Sequence, residues 1–311
     1  MPTPALPPEG LVRPAAPRPG DRVAVIAASG PPNQENLEIG LASLRGLGLQ
    51  PEVFASARAG GEYLAGDDAL RARDLTAALT DPAFTAVFCA AGGYGAQRTL
   101  ELVDWDAVGT PTPRTVIGFS DVTALLEAVA VKLGWTGLFG PMPAIRGFHP
   151  GRADFDALAA LLTDPTSVKE LRFPDSRPLV GGTAEGVTLG GTVTLLACSL
   201  GTDTSLPARG GIVLLEDVDE ETFRLDRFLT QLRRAGYFDG AAGIVCGTFT
   251  DCGTRERVEE LLHDRLGDLG IPVLVGADIG HGVPQQTFPV GTRARLDADA
   301  GVLTFLDPVL A

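Results

Sequence analysis

Short apolar runs alternate with amphipathic segments along the first half of the chain. The runs begin at Arg22, Thr85 and Thr115, contain β-branched residues, and end near glycine, serine or proline. Segments with apolar residues at helical spacing separate or follow them, at 36–47, 69–79, 96–102 and 121–133. Apolar runs of this kind are typical of buried parallel strands, so the alternation predicts an α/β fold with a parallel sheet covered on both faces.

The composition changes between about Asp164 and Gly191, where proline, glycine, serine and threonine predominate. This change predicts a linker at 165–184, between a first domain at 21–164 and a second at 185–311, with a proline-rich leader at 1–20. In the second domain the pattern predicts strands starting near Gly210, Ala242 and Pro272, helices at 222–235 and around 255–266, and two alternating strands at 292–296 and 301–305.

The composition excludes several classes of protein. With 311 residues, 45% of them hydrophobic, the chain can bury one large core or two medium ones. No apolar run reaches the roughly 18 residues of a membrane helix, and the first 20 residues lack the apolar region of a secretory signal, so we expect a cytoplasmic protein without membrane partners. The net charge of −14 opposes binding to nucleic acid or anionic lipid.

The four cysteines lie far apart, and no C-x-x-C pair occurs. This spacing indicates buried thiols rather than a disulfide framework or a structural zinc site. We therefore expect no structural metal.

Ser120 stands where the strand Val116-Ile-Gly runs into a helix. A serine at such a turn has its Oγ lifted off the sheet, and the N–H of Asp121 is free to meet an oxyanion. Val122 replaces the second glycine of the G-x-S-x-G nucleophile elbow, so the match is partial. A plain helix N-cap serine is the alternative on this segment alone.

A nucleophilic serine needs a base, and the chain has three histidines. His281 lies in a glycine-rich loop after the Val273-Leu-Val strand, where ligand-binding groups collect in α/β folds. His149 and His263 fit surface positions better. A structural loop histidine is the alternative for His281.

Glu216 ends the apolar strand Ile212-Val-Leu-Leu, so its side chain leaves the sheet at the same kind of edge. It is the candidate acid that orients the histidine, with Asp278 as the substitute if Glu216 points away. The acidic residues that follow Glu216 also suit a solvated helix start. A divalent metal site is a weaker alternative, because no second cluster with ligand spacing accompanies them.

The loop Gly92-Gly93-Tyr94-Gly95 lacks the G-x-G-x-x-G spacing of a dinucleotide site. Its other use is to supply an oxyanion donor, because glycine lets backbone N–H groups approach a reacting carbonyl. We therefore expect Gly93 and Asp121 to provide the two donors.

These motifs together resemble those of the LD-carboxypeptidases, the muramoyltetrapeptide carboxypeptidases of a serine peptidase family that also contains microcin C self-immunity peptidases. The resemblance runs from Gly20 to about Gly291. It is carried by Tyr63-Leu-Ala-Gly-Asp, Gly92-Gly-Tyr-Gly with Arg98, Gly118-Phe-Ser-Asp-Val-Thr, Gly190-Gly-Thr, Leu215-Glu-Asp-Val with Asp226-Arg227, and Gly280-His-Gly.

The resemblance implies a Ser120, Glu216 and His281 triad in a cleft between a Rossmann-like N-terminal domain and a smaller, β-rich C-terminal α/β domain. It further implies a homodimer, no cofactor, and release of the terminal D-alanine from murein tetrapeptides in cell-wall recycling. Two departures, Ala91 where the family usually has arginine and Phe139 where it often has histidine, put the exact substrate in doubt.

An exopeptidase must also bind a free carboxylate, which a net charge of −14 repels. Arg98 and Arg227 are the candidates for that contact. Three other functions stay open: a microcin C-type peptidase acting on a peptidyl-nucleotide, a non-catalytic small-molecule binding protein, and an α/β-hydrolase esterase. The esterase is disfavoured by Val122 and by the absence of an H-G-G-G loop.

Overall fold

The structure is a computed structural model, and it describes residues 6–109 and 112–311. The strands are β1 (Arg22–Ile26), β2 (Gln50–Val53), β3 (Phe84–Cys89), β4 (Thr115–Gly118), β5 (Gly137–Phe139), β6 (Glu170–Arg172), β7 (Arg177–Val180), β8 (Thr183–Thr192), β9 (Gly211–Val218), β10 (Gly243–Thr250), β11 (Val273–Val275), β12 (Phe288–Val290), β13 (Arg293–Asp297) and β14 (Val302–Phe305). The helices are α1 (Gln34–Gly46), α2 (Asp68–Thr80), α3 (Ala96–Leu100), α4 (Trp105–Val108), α5 (Thr123–Leu133), α6 (Ala153–Thr163), α7 (Val193–Ser199), α8 (Thr222–Arg234) and α9 (Arg255–Leu266).

The first sheet has six strands in the order β12-β5-β4-β3-β1-β2. Strands β1 to β5 run parallel to their neighbours, and only β12 is antiparallel. Strands β3 and β4 are almost entirely buried, as expected for strands covered on both faces. This confirms the parallel-sheet α/β fold predicted for the first half of the chain.

The second sheet has eight strands in the order β6-β14-β13-β8-β9-β10-β11-β7. Its centre, β8 to β11, is parallel, while the flanking strands are antiparallel. Its β-rich composition agrees with the expected second domain.

The segment 165–184 is not a free linker, because it contains β6, β7 and the first residues of β8. Strands β6 and β7 are the two edges of the second sheet. An edge strand has one unpaired side and so accepts proline, which is why Pro178 and its neighbours gave a linker-like composition. The linker predicted at 165–184 is therefore wrong, because its linker-like composition belongs to edge strands.

The described part of the leader is tied to both halves of the molecule. The N–H of Leu11 donates to the carbonyl of Gly291 (2.8 Å), and Val12 forms an isolated parallel bridge with Trp135. The N–H of Ala16 donates to the carbonyl of Ala311 (3.0 Å). Residues 11–16 therefore form a strap that contacts both sheets.

The helix expected at 121–133 begins with a 3₁₀ turn, Ser120–Val122, before α5 starts at Thr123.

Among the described residues, none of the helices has both the length and the apolar character needed to cross a bilayer.

Candidate active site

Ser120 adopts a backbone conformation that side chains rarely take. It follows the C-terminal end of β4 with φ +63°, in the left-handed region. Such a conformation costs a non-glycine residue about 1–3 kcal/mol and persists only where the surroundings impose it. A serine strained in this way between a strand and a helix has the geometry of a nucleophile elbow, so the N-cap alternative explains it less well.

Glycines surround the serine because a side chain would not fit. A Cβ on Gly118 would lie 2.7 Å from Val122 Cγ1, and a Cβ on Gly92 would lie 3.0 Å from Ser120 Cβ and 3.2 Å from its Oγ. Val122 therefore fills the space beside the turn. The glycine loop that begins at Gly92 lies directly against the serine, as the sequence predicts.

Glu216, in the second sheet, and His281, in the loop after β11, form a hydrogen-bonded pair. The carboxylate of Glu216, on β9, is fully buried. Its Oε2 lies 2.8 Å from His281 Nδ1 and also accepts the backbone N–H of His281 (3.2 Å). The substitute acid, Asp278, instead accepts a hydrogen bond from the side chain of Gln286 (2.8 Å).

The loop that carries His281 fits closely over the carboxylate. Gly280 has φ +115°, and a Cβ on it would lie 2.4 Å from Glu216 Oε2. Glycine is therefore required next to the histidine for two reasons, the left-handed backbone and the close approach. This requirement explains the Gly-His-Gly pattern.

His281 approaches the serine from the opposite sheet. Its ring packs on Phe119, the residue before Ser120, with ring centroids 4.8 Å apart. The structure includes no hydrogen bond between Ser120 and His281 within the described residues. Because Nδ1 is occupied by Glu216, Nε2 is the nitrogen available to the serine side.

Phe139 stands where the family often has histidine, and it supports the contact between Phe119 and His281. Its ring is buried and packs edge-on against Phe119, with centroids 5.8 Å apart. Phe119 thus lies between Phe139 and His281. The aromatic replacement completes an apolar wall behind the serine turn.

The backbone N–H groups of Gly93 and Asp121 have no acceptor among the described residues, and neither do those of Gly92 and Ser120. Gly93 has φ +103°, and its loop is anchored because Gly30 donates to the carbonyl of Gly92 (2.9 Å). Gly93 and Asp121 are the two donors that the sequence predicts for an oxyanion. Their role stays a prediction.

The side chain of Asp121 has a function that sequence reasoning missed. Its Oδ2 accepts the N–H of Ala96 (2.8 Å), the first residue of α3. Burial raises the pKa of Asp121, and its hydrogen bonds offset this only in part. The carboxyl thus ties the glycine loop and α3 to the serine turn.

The acidic residues after Glu216 do not gather into a metal site. Asp217 is buried and accepts both the N–H (2.9 Å) and the hydroxyl (2.8 Å) of Thr194. Burial, with Glu216 next to it, raises the pKa of Asp217 to about 6. Within the described residues no group of three or more His, Cys, Asp or Glu side chains could hold a metal ion.

Neither candidate arginine contacts the serine, the histidine or Glu216 in the described part of the chain. Arg98 forms an ion pair with Asp68 (2.6 Å), and Arg227 lies over the ring of Phe223, 5.5 Å from its centroid. Arg98 is nearer the glycine loop in sequence, on α3. The assignment of a carboxylate-binding arginine stays open.

Comparisons with known proteins identify the family of this chain. A family model described as the LD-carboxypeptidase N-terminal domain matches residues 23–140, and the corresponding C-terminal domain model matches 185–296. A protein of Streptomyces coelicolor named as a carboxypeptidase, SCO6489, is 49% identical to this chain over 304 residues. The match covers 96% of this chain and 98% of that protein. The chain belongs to the LD-carboxypeptidase family.

Other members of this peptidase family extend the comparison. The murein tetrapeptide carboxypeptidase of Pseudomonas aeruginosa is 32% identical over 288 residues, 89% of this chain and 94% of that protein. The microcin C7 self-immunity protein MccF of Escherichia coli is 27% identical over 271 residues, 76% of this chain and 78% of that protein. A solved structure of MccF in complex with glutamyl sulfamoyl guanosine superposes with a TM-score of 0.86 at 24% identity, covering 96% and 99% of the two chains. That superposition supports the two-domain fold.

Proposed function

We propose that this LD-carboxypeptidase family member is a serine carboxypeptidase that hydrolyses the L,D-peptide bond before the terminal D-alanine of murein tetrapeptides. The observation that carries the proposal is the strained Ser120 turn on one sheet, next to the buried Glu216–His281 pair on the other. A non-catalytic binding protein has no need for either feature.

The geometry suits an acyl-enzyme reaction. With its Nδ1–H donated to Glu216, His281 presents the lone pair of Nε2 and takes the proton of Ser120 as Oγ attacks the carbonyl carbon. The N–H groups of Gly93 and Asp121 would hold the tetrahedral oxyanion. When the C–N bond breaks, His281 returns the proton to the amine of D-alanine, and water then cleaves the ester by the same steps in reverse.

The substrate class rests on relatives. A murein tetrapeptide carboxypeptidase matches nearly the whole chain at 32% identity. A role in cell-wall recycling, a cytoplasmic location and a homodimer follow from the family resemblance and stay predictions. Sedimentation velocity tests the homodimer.

The test is digestion of the murein tetrapeptide ending in diaminopimelate and D-alanine, followed by mass spectrometry. We expect loss of one alanine. The matched control is the same peptide ending in L-alanine, which should stay intact. An intact D-alanine peptide, with a well-folded enzyme, would contradict the proposed substrate.

One observation favours a second candidate, a peptidase acting on a peptidyl-nucleotide as in microcin immunity. Tyr63 and Tyr94 pair their rings 5.9 Å apart, and each is 54% exposed. Tyr94 belongs to the glycine loop beside Ser120, so the pair could offer a flat base an aromatic surface. Cleavage of glutamyl sulfamoyl adenosine, with the tetrapeptide left intact, would favour this function.

A further inference from the structure

Thr192 makes a contact that no motif reasoning assigned. It is the last residue of β8 and lies directly across from Glu216 in the pairing of β8 with β9. Its side chain is buried, and its Oγ1 lies 2.5 Å from Glu216 Oε1. Both donors to the other carboxylate oxygen belong to His281, so Thr192 is the partner of Oε1 in the described structure.

The single hydroxyl proton of Thr192 has two acceptors within reach. Glu216 Oε1 is at 2.5 Å, whereas the carbonyl oxygen of Ser120 is at 3.4 Å. Hydrogen bonds to a carboxylate are shorter and stronger than those to a neutral carbonyl. The proton therefore goes to Glu216, and the oxygen of Thr192 remains in contact with the serine turn.

Thr123 completes a link between the two sheets. Its Oγ1 accepts the backbone N–H of Thr192 (3.2 Å) and donates to Thr192 Oγ1 (3.3 Å). Thr123 begins α5, three residues after Ser120. The two threonines thus connect the buried acid to the helix that follows the serine.

We propose that Thr192 is a positioning residue for catalysis. Its hydroxyl holds the carboxylate of Glu216 in place toward His281, while its contacts with Thr123 hold Thr192 and Glu216 against the Ser120 turn. A buried carboxylate loses much of its stability when one of its donors is removed, because no water replaces the donor. This inference rests on the proposed roles of Ser120, Glu216 and His281, and not on the identity of the substrate.

The test uses Thr192→Val, which keeps the shape of the side chain and removes the donor, with Thr192→Ser as the conservative variant. The rate of Ser120 labelling by a fluorophosphonate is measured across pH, together with kcat and KM on the tetrapeptide. We expect Thr192→Val to slow labelling and kcat about ten- to a hundredfold, the usual effect of losing a hydrogen bond to a charged group, with little change in KM. Thr192→Ser should retain most of the rate.

The division of the effect between kcat and KM, and rescue by Thr192→Ser, separate positioning from a structural role. The control is Thr188→Val on the same strand, where Oγ1 is buried and bonded to the carbonyl of Thr292 (3.1 Å). That variant should lose stability and leave kcat, KM and the labelling rate unchanged.

The expected double-mutant result is that Thr192→Val adds little to the loss already caused by Glu216→Gln. An unchanged kcat and labelling rate in folded Thr192→Val, or equal effects of Thr192→Val and Thr188→Val, would overturn the proposal. If Thr192→Val does not fold, Thr192→Ala against Thr192→Ser gives the same comparison. Serine labelling that depends on Thr192, in an enzyme that leaves the tetrapeptide intact, would refute the proposed substrate alone.

Discussion

The serine side and the acid–base side of this site are held in place by different means. Ser120 is fixed by its own backbone, at φ +63°, and by glycines whose missing side chains leave just enough room. Glu216 is fixed by hydrogen bonds, one from Thr192 and two from His281. The first sheet thus positions an atom by steric fit, and the second positions a charge by supplying donors.

The difference follows from what each group needs. A neutral hydroxyl costs far less to bury than a charged group, so its direction is what the fold must impose. A carboxylate with no exposed surface needs donors that compensate for the lost water. Changes on the serine side should therefore act through the position of Oγ, while changes on the acid–base side should act through the charge beside His281.

The largest expected effect is that of Ser120→Ala. Removing the proposed nucleophile leaves only binding and the proposed oxyanion donors, so turnover should fall by about a thousandfold or more. The variant should be no less stable than the parent. Steady-state kinetics and thermal unfolding check both statements, and retained turnover would exclude the serine mechanism.

On the acid–base side, His281→Ala should cost more than Glu216→Gln. The amide can still orient the ring but does not stabilise the imidazolium as a carboxylate does, so its loss in kcat should be smaller by about tenfold to a hundredfold. Single-turnover kinetics of the two variants measure the difference. A larger loss in Glu216→Gln would mean that the carboxylate does more than orient and stabilise His281.

A smaller effect is expected when the fit around the serine is disturbed. The new Cβ in Gly92→Ala would lie 3.0 Å from Ser120 Cβ, so the turn must shift by a few tenths of an ångström. We expect kcat to fall about tenfold at all pH values, because small misplacements of reacting groups are costly. Gly60→Ala is the control, since nothing lies within 4 Å of the added atom. Equal rates in both variants would show that the fit at Gly92 is not needed.

The smallest effect on activity, with a clear effect on stability, is expected from Glu127→Gln. Glu127, on α5, is buried between the two halves and accepts the N–H of Leu206 (3.3 Å); burial raises the pKa of Glu127 to about 8. A raised pKa means that this group's contribution is complete below about pH 4.3 and is lost as the pH rises through about 8. The parent should therefore lose stability relative to Glu127→Gln as the pH rises from 6 to 9, by roughly 1 kcal/mol or more.

Urea unfolding at the two pH values measures this difference, with the exposed Glu101→Gln as control. A parent protein whose stability relative to Glu127→Gln is the same at pH 6 and pH 9 would show that Glu127 does not titrate in this range. A pH-dependent difference would identify the contact between the two halves as sensitive to alkali, separately from the acid–base pair.

Much of the fold could be read from local patterns. The buried runs of β1, β3 and β4 and the helices between them follow the periodicity of the sequence, because strands covered on both faces must be apolar throughout. Strands β6 and β7 could not be found this way, since edge strands are short and tolerate proline. The sequence pattern did not predict helices α6 and α7 either.

The sequence by itself determined the three candidate residues: Ser120 after β4, Glu216 and His281. Glu216 lies within β9, which continues to Val218, and not at its end as the pattern predicts. A short motif fixes these, because the turn, the glycines and the chemistry all depend on neighbours in the chain. The choice of Glu216 over Asp278, by contrast, rests on a 2.8 Å contact between residues 65 positions apart.

Only the tertiary structure decided what supports those residues. Thr192 meets Glu216 because β8 and β9 are neighbours in register, and Asp121 meets Ala96 because β3 and β4 place their following loops together. Single polar residues of this kind carry no periodic signal, and their partners lie 24 and 25 positions away. Strand pairing is a property of the folded chain, so the partner of a buried polar group is known only when the sheet order is known.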